Sequence, residues 1–162
     1  MTRPLRGFDP AAVRRIGRRD LAVSQLGVGT LPFGSHAADD TDASIGAAFA
    51  AAYAAGLRYF DTAPLYGVGV SEHRLGACLR GIDRRSVVLS TKVGRLLRPL
   101  AGGTAPGVCA GTAPFDIEFD YSYDATLRSL DASLQRLGTN AIDIVLIHDV
   151  NRRWQGDLVE QR

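Results

Sequence analysis

Residues 87–94, VVLSTKVG, are the stretch from which the fold is predicted most directly. This apolar run is typical of a buried strand, and a charged residue, Lys92, lies near its end. Lys92 is the only lysine in the chain, and the other 18 of its 19 basic residues are arginines. A lysine ammonium is a compact charge whose pKa depends on its surroundings, whereas the planar arginine fork stays charged. The lone lysine is therefore either a chance choice or a position that the arginine fork does not fit.

Strand and helix patterns alternate upstream of this stretch. They predict a small hairpin, a first strand that ends near Gly29 and Thr30, and a helix within 39–56 that Gly56 stops. A strand at 57–63 follows, and then a short helix at 71–81. The first of these helices is predicted to carry Ile45, Ala48, Phe49 and Ala52 on one face, and the second to have Ser71 as its N-cap.

The alternation continues downstream of residue 94. Residues 95–118 are rich in Gly, Pro, Ala and Thr without a clear period, which predicts a long loop. The strand at 141–149 has a continuous apolar core, 144–147, as expected where helices cover both faces of a sheet. Between them lies the clearest helix of the chain, 122–138, with an apolar stripe formed by Tyr123, Leu127, Leu130, Leu134 and Leu137.

Strands that alternate with helices indicate an α/β fold, in which right-handed crossovers join parallel strands. The alternation alone does not choose between an open sheet and a barrel. In either architecture, the carboxyl ends of the strands form the edge where ligands bind.

Four titratable side chains fall at or just after the predicted strand ends: Asp61, Tyr66, Lys92 and His148. A phenol, whose pKa is about 10, becomes an effective proton carrier only where a nearby cation stabilises its phenolate. Lys92 can supply that cation, Asp61 can hold the ammonium, and His148 can orient a carbonyl oxygen. Taken singly, each residue is more often a cap, a packing residue or a surface charge. Together they predict proton transfer beside a carbonyl, with hydride supplied by a cofactor such as a nicotinamide.

Length and composition set the broad class. A chain of 162 residues is long enough for one domain with a core, and 46% hydrophobic with 22% charged residues is typical of a soluble protein. A net charge of +2 with scattered basic residues argues against a nucleic-acid partner. Cys78 and Cys109 form neither a disulfide framework nor a metal-ligand spacing, so no metal is expected. Without a signal-peptide core or an apolar membrane span, the sequence predicts a cytoplasmic protein with no membrane contact.

Four motifs strongly resemble the aldo-keto reductase family: GVGTLPFG at 27–34, RYFDTAPLYGVGVSEHRLG at 58–76, LSTKVGR at 89–95 and LQRLGTNAIDIVLIHD at 134–149. The stretches FDYSYDATLRSLDASLQRLG and LIHDV are most similar to the branch of L-fucose, D-threo-aldose and L-galactose dehydrogenases. The resemblance implies that Asp61, Tyr66, Lys92 and His148 form the catalytic tetrad, with the tyrosine as general acid and base. It also implies NADP or NAD as cofactor, with the nicotinamide end near Gly29, Thr30, Leu31 and Asp61.

The family fold is a (β/α)₈ TIM barrel of roughly twice this length. The resemblance therefore implies about half a barrel, with four strands and an N-terminal hairpin, truncated at its C-terminus. We divide the chain into an N-terminal arm at 1–15, the N-terminal half of the barrel at 16–150 and a polar tail at 151–162.

A half barrel leaves two sheet edges open, and exposed apolar edges favour association. Three interpretations stay open: a fragment of a longer enzyme, which we favour; a chain that pairs with itself or with a separate C-terminal half-barrel; and a non-catalytic interaction module. The function expected of the first two is NAD(P)-dependent oxidation or reduction of aldehydes or aldoses. A barrel hydrolase is disfavoured, since the sequence offers neither a close carboxylate pair nor metal ligands.

Overall fold

The computed structural model describes residues 9–18, 20–35, 37–101, 114–152 and 156. The first described elements are the strands of a small antiparallel hairpin, β1 (Val13–Arg15) and β2 (Ala22–Ser24). The hairpin confirms the prediction, and its first strand lies within the range assigned to the N-terminal arm. Most of the polar tail at 151–162 lies outside the described residues.

Four parallel strands form the main sheet, in the order β3 (Val28–Gly29), β4 (Tyr59–Asp61), β5 (Val88–Val93) and β8 (Ile144–Ile147). Helix α1 (Asp42–Ala54) connects β3 to β4, and α2 (Val70–Leu79) connects β4 to β5. Helix α3 (Tyr123–Leu137) precedes β8. The parallel α/β fold predicted from the sequence is confirmed.

Helix ends follow from local sequence. Thr41 caps α1, because its side chain accepts a hydrogen bond from the backbone N–H of Ser44, and Ser122 caps α3 in the same way. Gly138 ends α3 in the left-handed conformation that glycine adopts without steric cost. The N-cap predicted at Ser71 is wrong: α2 begins at Val70, with Gly69 as its cap, and the Ser71 hydroxyl bonds to neighbouring strand ends instead.

The three α-helices of the described residues pack against one face of the sheet. Side chains alternate between the two faces of a strand, so Phe60 of β4 and Leu89 of β5 point toward the helices. They form a core with residues from each helix: Ile45, Phe49, Leu75, Leu79 and Leu137. Ala48, predicted on the inward face of α1, is exposed, because α1 touches the core only through a narrow stripe.

The opposite face of the sheet carries polar side chains. Alternation along β4 and β5 sends Asp61, Ser90 and Lys92 to this face, away from the helix core. Among the described residues, all of the helices that form the core lie on the other face. The sheet therefore has a packed apolar side and an open polar side, which is the arrangement of a barrel wall.

The prediction of a long loop over 95–118 is wrong at both of its ends. An antiparallel hairpin is present there, formed by β6 (Arg95–Pro99) and β7 (Phe115–Phe119). Residues 102–113 lie outside the described part of the chain. Apolar residues alternate with acidic ones in Phe115–Phe119, and this period of two, typical of a half-buried strand, is the signal hidden by the Gly- and Pro-rich surroundings.

The expectation that helices cover both faces of β8 is also wrong in this chain. Val145, Leu146 and Ile147 are exposed, with Ile147 at 70%. The apolar stripe of α3 behaves similarly, because Tyr123 and Leu127 are exposed while small residues, Ala125, Ser129 and Ser133, face the core. The open apolar edges expected of a half barrel are therefore present at β8 and α3.

Candidate functional site

The centre of the site is an ion pair at the carboxyl ends of β4 and β5. Lys92 Nζ lies 2.6 Å from Asp61 Oδ2 and also donates to the carbonyl oxygen of Thr62 at 3.0 Å. Ser90 donates to the second carboxylate oxygen, Oδ1, at 2.6 Å. Both oxygens of Asp61 are thus engaged, so the carboxylate has a fixed orientation and holds the ammonium in one place.

Tyr66 lies directly beside this ion pair. Lys92 Nζ is 4.7 Å from the centre of the Tyr66 ring. Burial alone would lower the pKa of Lys92, but hydrogen bonds with Asp61 and Tyr66 outweigh it and raise that pKa above its ordinary value. Lys92 is therefore a firmly charged ammonium at neutral pH, held between a carboxylate and a phenol.

The loop that carries Tyr66 is fixed by a close approach of two glycines. A Cβ on Gly34 would lie 2.5 Å from the carbonyl carbon of Tyr66, and one on Gly67 would lie 2.3 Å from the carbonyl oxygen of Gly34. Gly67, Val68 and Gly69 all have positive φ, of 61°, 53° and 92°. A β-branched residue in this region costs on the order of 1–3 kcal/mol, a strain that is typical of functional loops. The turn places Tyr66 at the start of α2.

His148 follows β8 and completes the cluster. Its ring meets the Tyr66 ring edge-on, with centroids 5.9 Å apart. Burial lowers the pKa of His148 to about 4, and the charges of Arg95 and Lys92 act in the same direction. The imidazole is therefore neutral at pH 7. Its buried Nδ1 has no hydrogen-bond partner among the described residues.

The structure brings together all four residues predicted as catalytic: Asp61, Tyr66, Lys92 and His148. The residues predicted to contact the cofactor differ in their exposure and in their hydrogen bonds. Gly29 pairs in register with Asp61, and Leu31 is 60% exposed beyond the end of β3. Thr30 is fully buried, and its hydroxyl is hydrogen-bonded to the Asp61 carbonyl and to Ser71.

Of this segment, the backbone of Gly29 and the side chain of Leu31 are the parts that solvent reaches. A Cβ placed on Gly29 would have no heavy atom within 4 Å, so the space beside its backbone is open. The Thr30 side chain holds the ends of β3 and β4 to α2 and is not available to a ligand.

Sequence reasoning missed several supporting residues. Ser90 fixes Asp61, and Tyr121 donates from its hydroxyl to the carbonyl oxygen of His148 at 2.8 Å. Arg95 is nearly fully buried and pairs with Asp149 at 2.8 Å. Ser90 and Arg95 lie two and three residues from Lys92 in the sequence, and this closeness is a signal that could have pointed to them. Nothing in the sequence pattern points to Tyr121.

Among the described residues, no helix is long and apolar enough to cross a bilayer.

Comparisons with known proteins identify the family and the fold. The sequence model of the Aldo/keto reductase family matches residues 25–161. The chain is 41% identical to pyridoxal 4-dehydrogenase of Microbacterium luteolum over 154 residues, which cover 89% of this chain and 45% of the relative. It is 39% identical to D-threo-aldose 1-dehydrogenase of a Pseudomonas species, covering 82% of this chain and 42% of the relative.

A solved structure shows the same fold. An aldo-keto reductase from Klebsiella pneumoniae in complex with NADPH superposes with a TM-score of 0.55 at 30% identity, over 86% of this chain and 43% of that one. The chain thus spans less than half the length of these proteins. The family match, the parallel half barrel and the cluster at its strand ends lead to one conclusion: the chain belongs to the aldo/keto reductase family.

Proposed function

We propose that this chain carries the catalytic residues of an NAD(P)-dependent oxidoreductase that acts on aldehydes or on C1 of aldoses. The observation that supports it most is the position of the Lys92 ammonium beside both the Asp61 carboxylate and the Tyr66 ring, with the His148 ring meeting the Tyr66 ring edge-on. The similarity to D-threo-aldose 1-dehydrogenase supports the choice of substrate class.

Tyr66 is the proton carrier in this proposal. In oxidation, its phenolate takes the proton of the substrate hydroxyl as the carbonyl forms; in reduction, its hydroxyl returns that proton to the carbonyl oxygen. The Lys92 charge stabilises the phenolate, and Asp61 keeps the ammonium in place. When bound, a nicotinamide would supply the hydride chemistry, as acceptor in oxidation and as donor in reduction.

His148 orients the substrate oxygen. Because burial lowers its pKa to about 4, the imidazole is a neutral hydrogen-bonding group at working pH and does not compete with Tyr66 as an acid. Leu31 and Gly29 would hold the nicotinamide beside this group.

We also propose that the open edge of β8 and α3 is covered by the C-terminal half of a family barrel. The relatives are more than twice as long as the matched region, and parallel strands continue a sheet only through such an edge. The exposed side chains of β8 are apolar, as expected of a surface that another βα unit covers.

Titration of the chain with NADPH and NADH, followed by cofactor fluorescence, tests the function, and aldose oxidation is then followed by absorbance. We expect saturable binding, which Tyr66→Phe retains while kcat falls by about 10²–10⁴-fold, and Lys92→Met lowers kcat similarly. Tyr123→Phe, on an exposed tyrosine, is the matched control and should change nothing.

Normal kcat in Tyr66→Phe would exclude the phenol as proton carrier. A chain that is folded by circular dichroism but binds neither cofactor, alone or mixed with the C-terminal half of the D-threo-aldose enzyme, would refute the proposal. It would favour the second candidate, a non-catalytic interaction module, for which the exposed apolar edge is the supporting observation.

A further inference from the structure

Arg95 is a buried charge that the proposed reaction does not use. It begins β6, two residues after β5 ends, and is 1% exposed. A guanidinium at such depth is costly unless it is paired. Among its partners is Asp149, whose Oδ2 lies 2.8 Å from Arg95 Nη2, across 54 residues of sequence. The pair therefore joins the end of β5 to the residue that follows His148.

Asp149 adopts a backbone conformation that most residues avoid. Its φ is +46°, in the left-handed region, where aspartate and asparagine are tolerated better than other side chains. In this conformation Oδ2 lies 3.6 Å from His148 Nε2 as well as 2.8 Å from Arg95. One carboxylate oxygen thus faces both the buried guanidinium and the imidazole.

The backbone of His148 is held separately from its ring. The His148 N–H donates to the Val93 carbonyl at 3.0 Å, and the His148 carbonyl accepts from the Tyr121 hydroxyl at 2.8 Å. Tyr121 reaches this carbonyl because Gly94 has no side chain: a Cβ there would lie 2.0 Å from the tyrosine ring. These bonds fix the peptide but leave rotation of the imidazole to its own neighbours, Tyr66 and Asp149.

We propose that Arg95 and Asp149 are positioning residues for His148: their ion pair holds the Asp149 carboxylate beside Nε2 and so sets the orientation of the imidazole toward Tyr66. The proposal deepens the proposed function and rests on it, since His148 is the group that orients the substrate oxygen there. Asp149 selects which ring nitrogen carries the proton, because a carboxylate favours an N–H that points at it.

The charges around His148 fit this role. Burial lowers its pKa to about 4; Arg95 and Lys92 act in the same direction, while Asp149 and Asp61 act in the opposite one. Arg95 and Asp149 therefore shift the pKa of His148 in opposite directions, although they form one ion pair. Each can be removed without deleting the other.

The test is a pH titration of the chain labelled with ¹⁵N-histidine, followed by NMR. Arg95→Met should move the His148 midpoint up, toward 6.5, because a nearby positive charge is lost. Asp149→Asn should move it further down, so that the imidazolium signal is absent at the pH where the wild type titrates. At neutral pH the wild-type ¹⁵N shifts should show that Nε2 of His148 carries the proton. Asp149→Asn should lower the fraction of molecules in that tautomer.

The controls separate positioning from general damage. Asparagine tolerates the left-handed conformation of residue 149, so Asp149→Asn should fold. Arg95→Lys retains the positive charge, so it should keep the His148 midpoint close to the wild-type value. The signals of His73, which is exposed on α2, should stay the same in every variant.

An upward shift in both variants would mean that each change merely opens the site to water, and the proposal would fail. Unchanged midpoints and an unchanged tautomer would also overturn it. The readout needs neither cofactor nor turnover, so this result stands apart from success or failure of the proposed function.

Discussion

The strands β5 and β8 are neighbours with similar apolar sequences, yet they end in opposite environments. Leu89 of β5 is fully buried under the helices, whereas Ile147 of β8 is 70% exposed on the same face of the sheet. Within the described part of the chain, β5 has a partner strand on each side, and β8 has one only. Apolar character gives a residue the capacity to be buried, but its neighbours in the fold decide whether it is.

The helices differ in the same way. Helix α2 is packed so closely that a glutamate, Glu72, is fully buried in it, where it bonds to Arg136 and Thr91. Helix α3 buries serines and exposes two residues of its apolar stripe, Tyr123 and Leu127. The interior of the half barrel is therefore complete around α2 and β5 and open beyond α3 and β8.

The largest effect is expected at the buried ion pair of Glu72 and Arg136, on the side of the half barrel that is complete. Arg136→Met leaves the carboxylate of Glu72 buried without its guanidinium, and we expect a loss of about 3–5 kcal/mol in the free energy of unfolding. Urea denaturation measures it. Arg98→Met, which removes an exposed arginine paired with Glu118, is the matched control and should leave the midpoint unchanged. Equal effects of the two would mean that Glu72 reaches water.

The contrast between the strands is tested by the same truncation at both. Leu89→Ala should cost about 2–5 kcal/mol, because it leaves a cavity in the core. Ile147→Ala should change stability by about 0.5 kcal/mol or less, as is usual for exposed side chains. Denaturation of both variants decides the matter, and a large loss at Ile147 would show that this edge is covered in the free chain.

The Ile147 variant also tests what covers the edge. Light scattering of the chain, alone and mixed with the C-terminal half of the D-threo-aldose enzyme, should show a complex only in the mixture, weakened by Ile147→Ala. A dimer of the chain alone that this substitution weakens would identify a second copy as the occupant instead.

The smallest effects come from two helix glycines that differ only in their surroundings. A Cβ on Gly76 of α2 would lie 2.4 Å from the Leu137 carbonyl, whereas one on Gly46 of α1 would meet nothing within 4 Å. Gly76→Ala should therefore cost about 1–3 kcal/mol, and Gly46→Ala should stabilise by about 0.5–1 kcal/mol. Thermal unfolding of the two variants measures whether each substitution raises or lowers the stability. Destabilisation by both would contradict the difference in packing.

Local sequence was sufficient wherever a feature depends on neighbours along the chain. The caps at Thr41 and Gly138 and the alternation of strands and helices follow from residue type and period. The hairpin of β6 and β7 was missed because its strands are short and pair across a Gly-rich segment. The residue type and position of Ser71 predict a cap, but the structure gives its hydroxyl partners 41 and 9 residues away in the sequence.

The sequence pattern suffices to predict the α/β fold and the strand-end positions of Asp61, Tyr66, Lys92 and His148, because parallel strands direct their carboxyl ends to one edge. The packing of the folded chain sets which apolar residues are buried, how Gly34 meets Gly67 and how Arg95 reaches Asp149. Those contacts join residues 33 and 54 positions apart. No local period encodes such pairs, since they depend on how whole strands and helices pack.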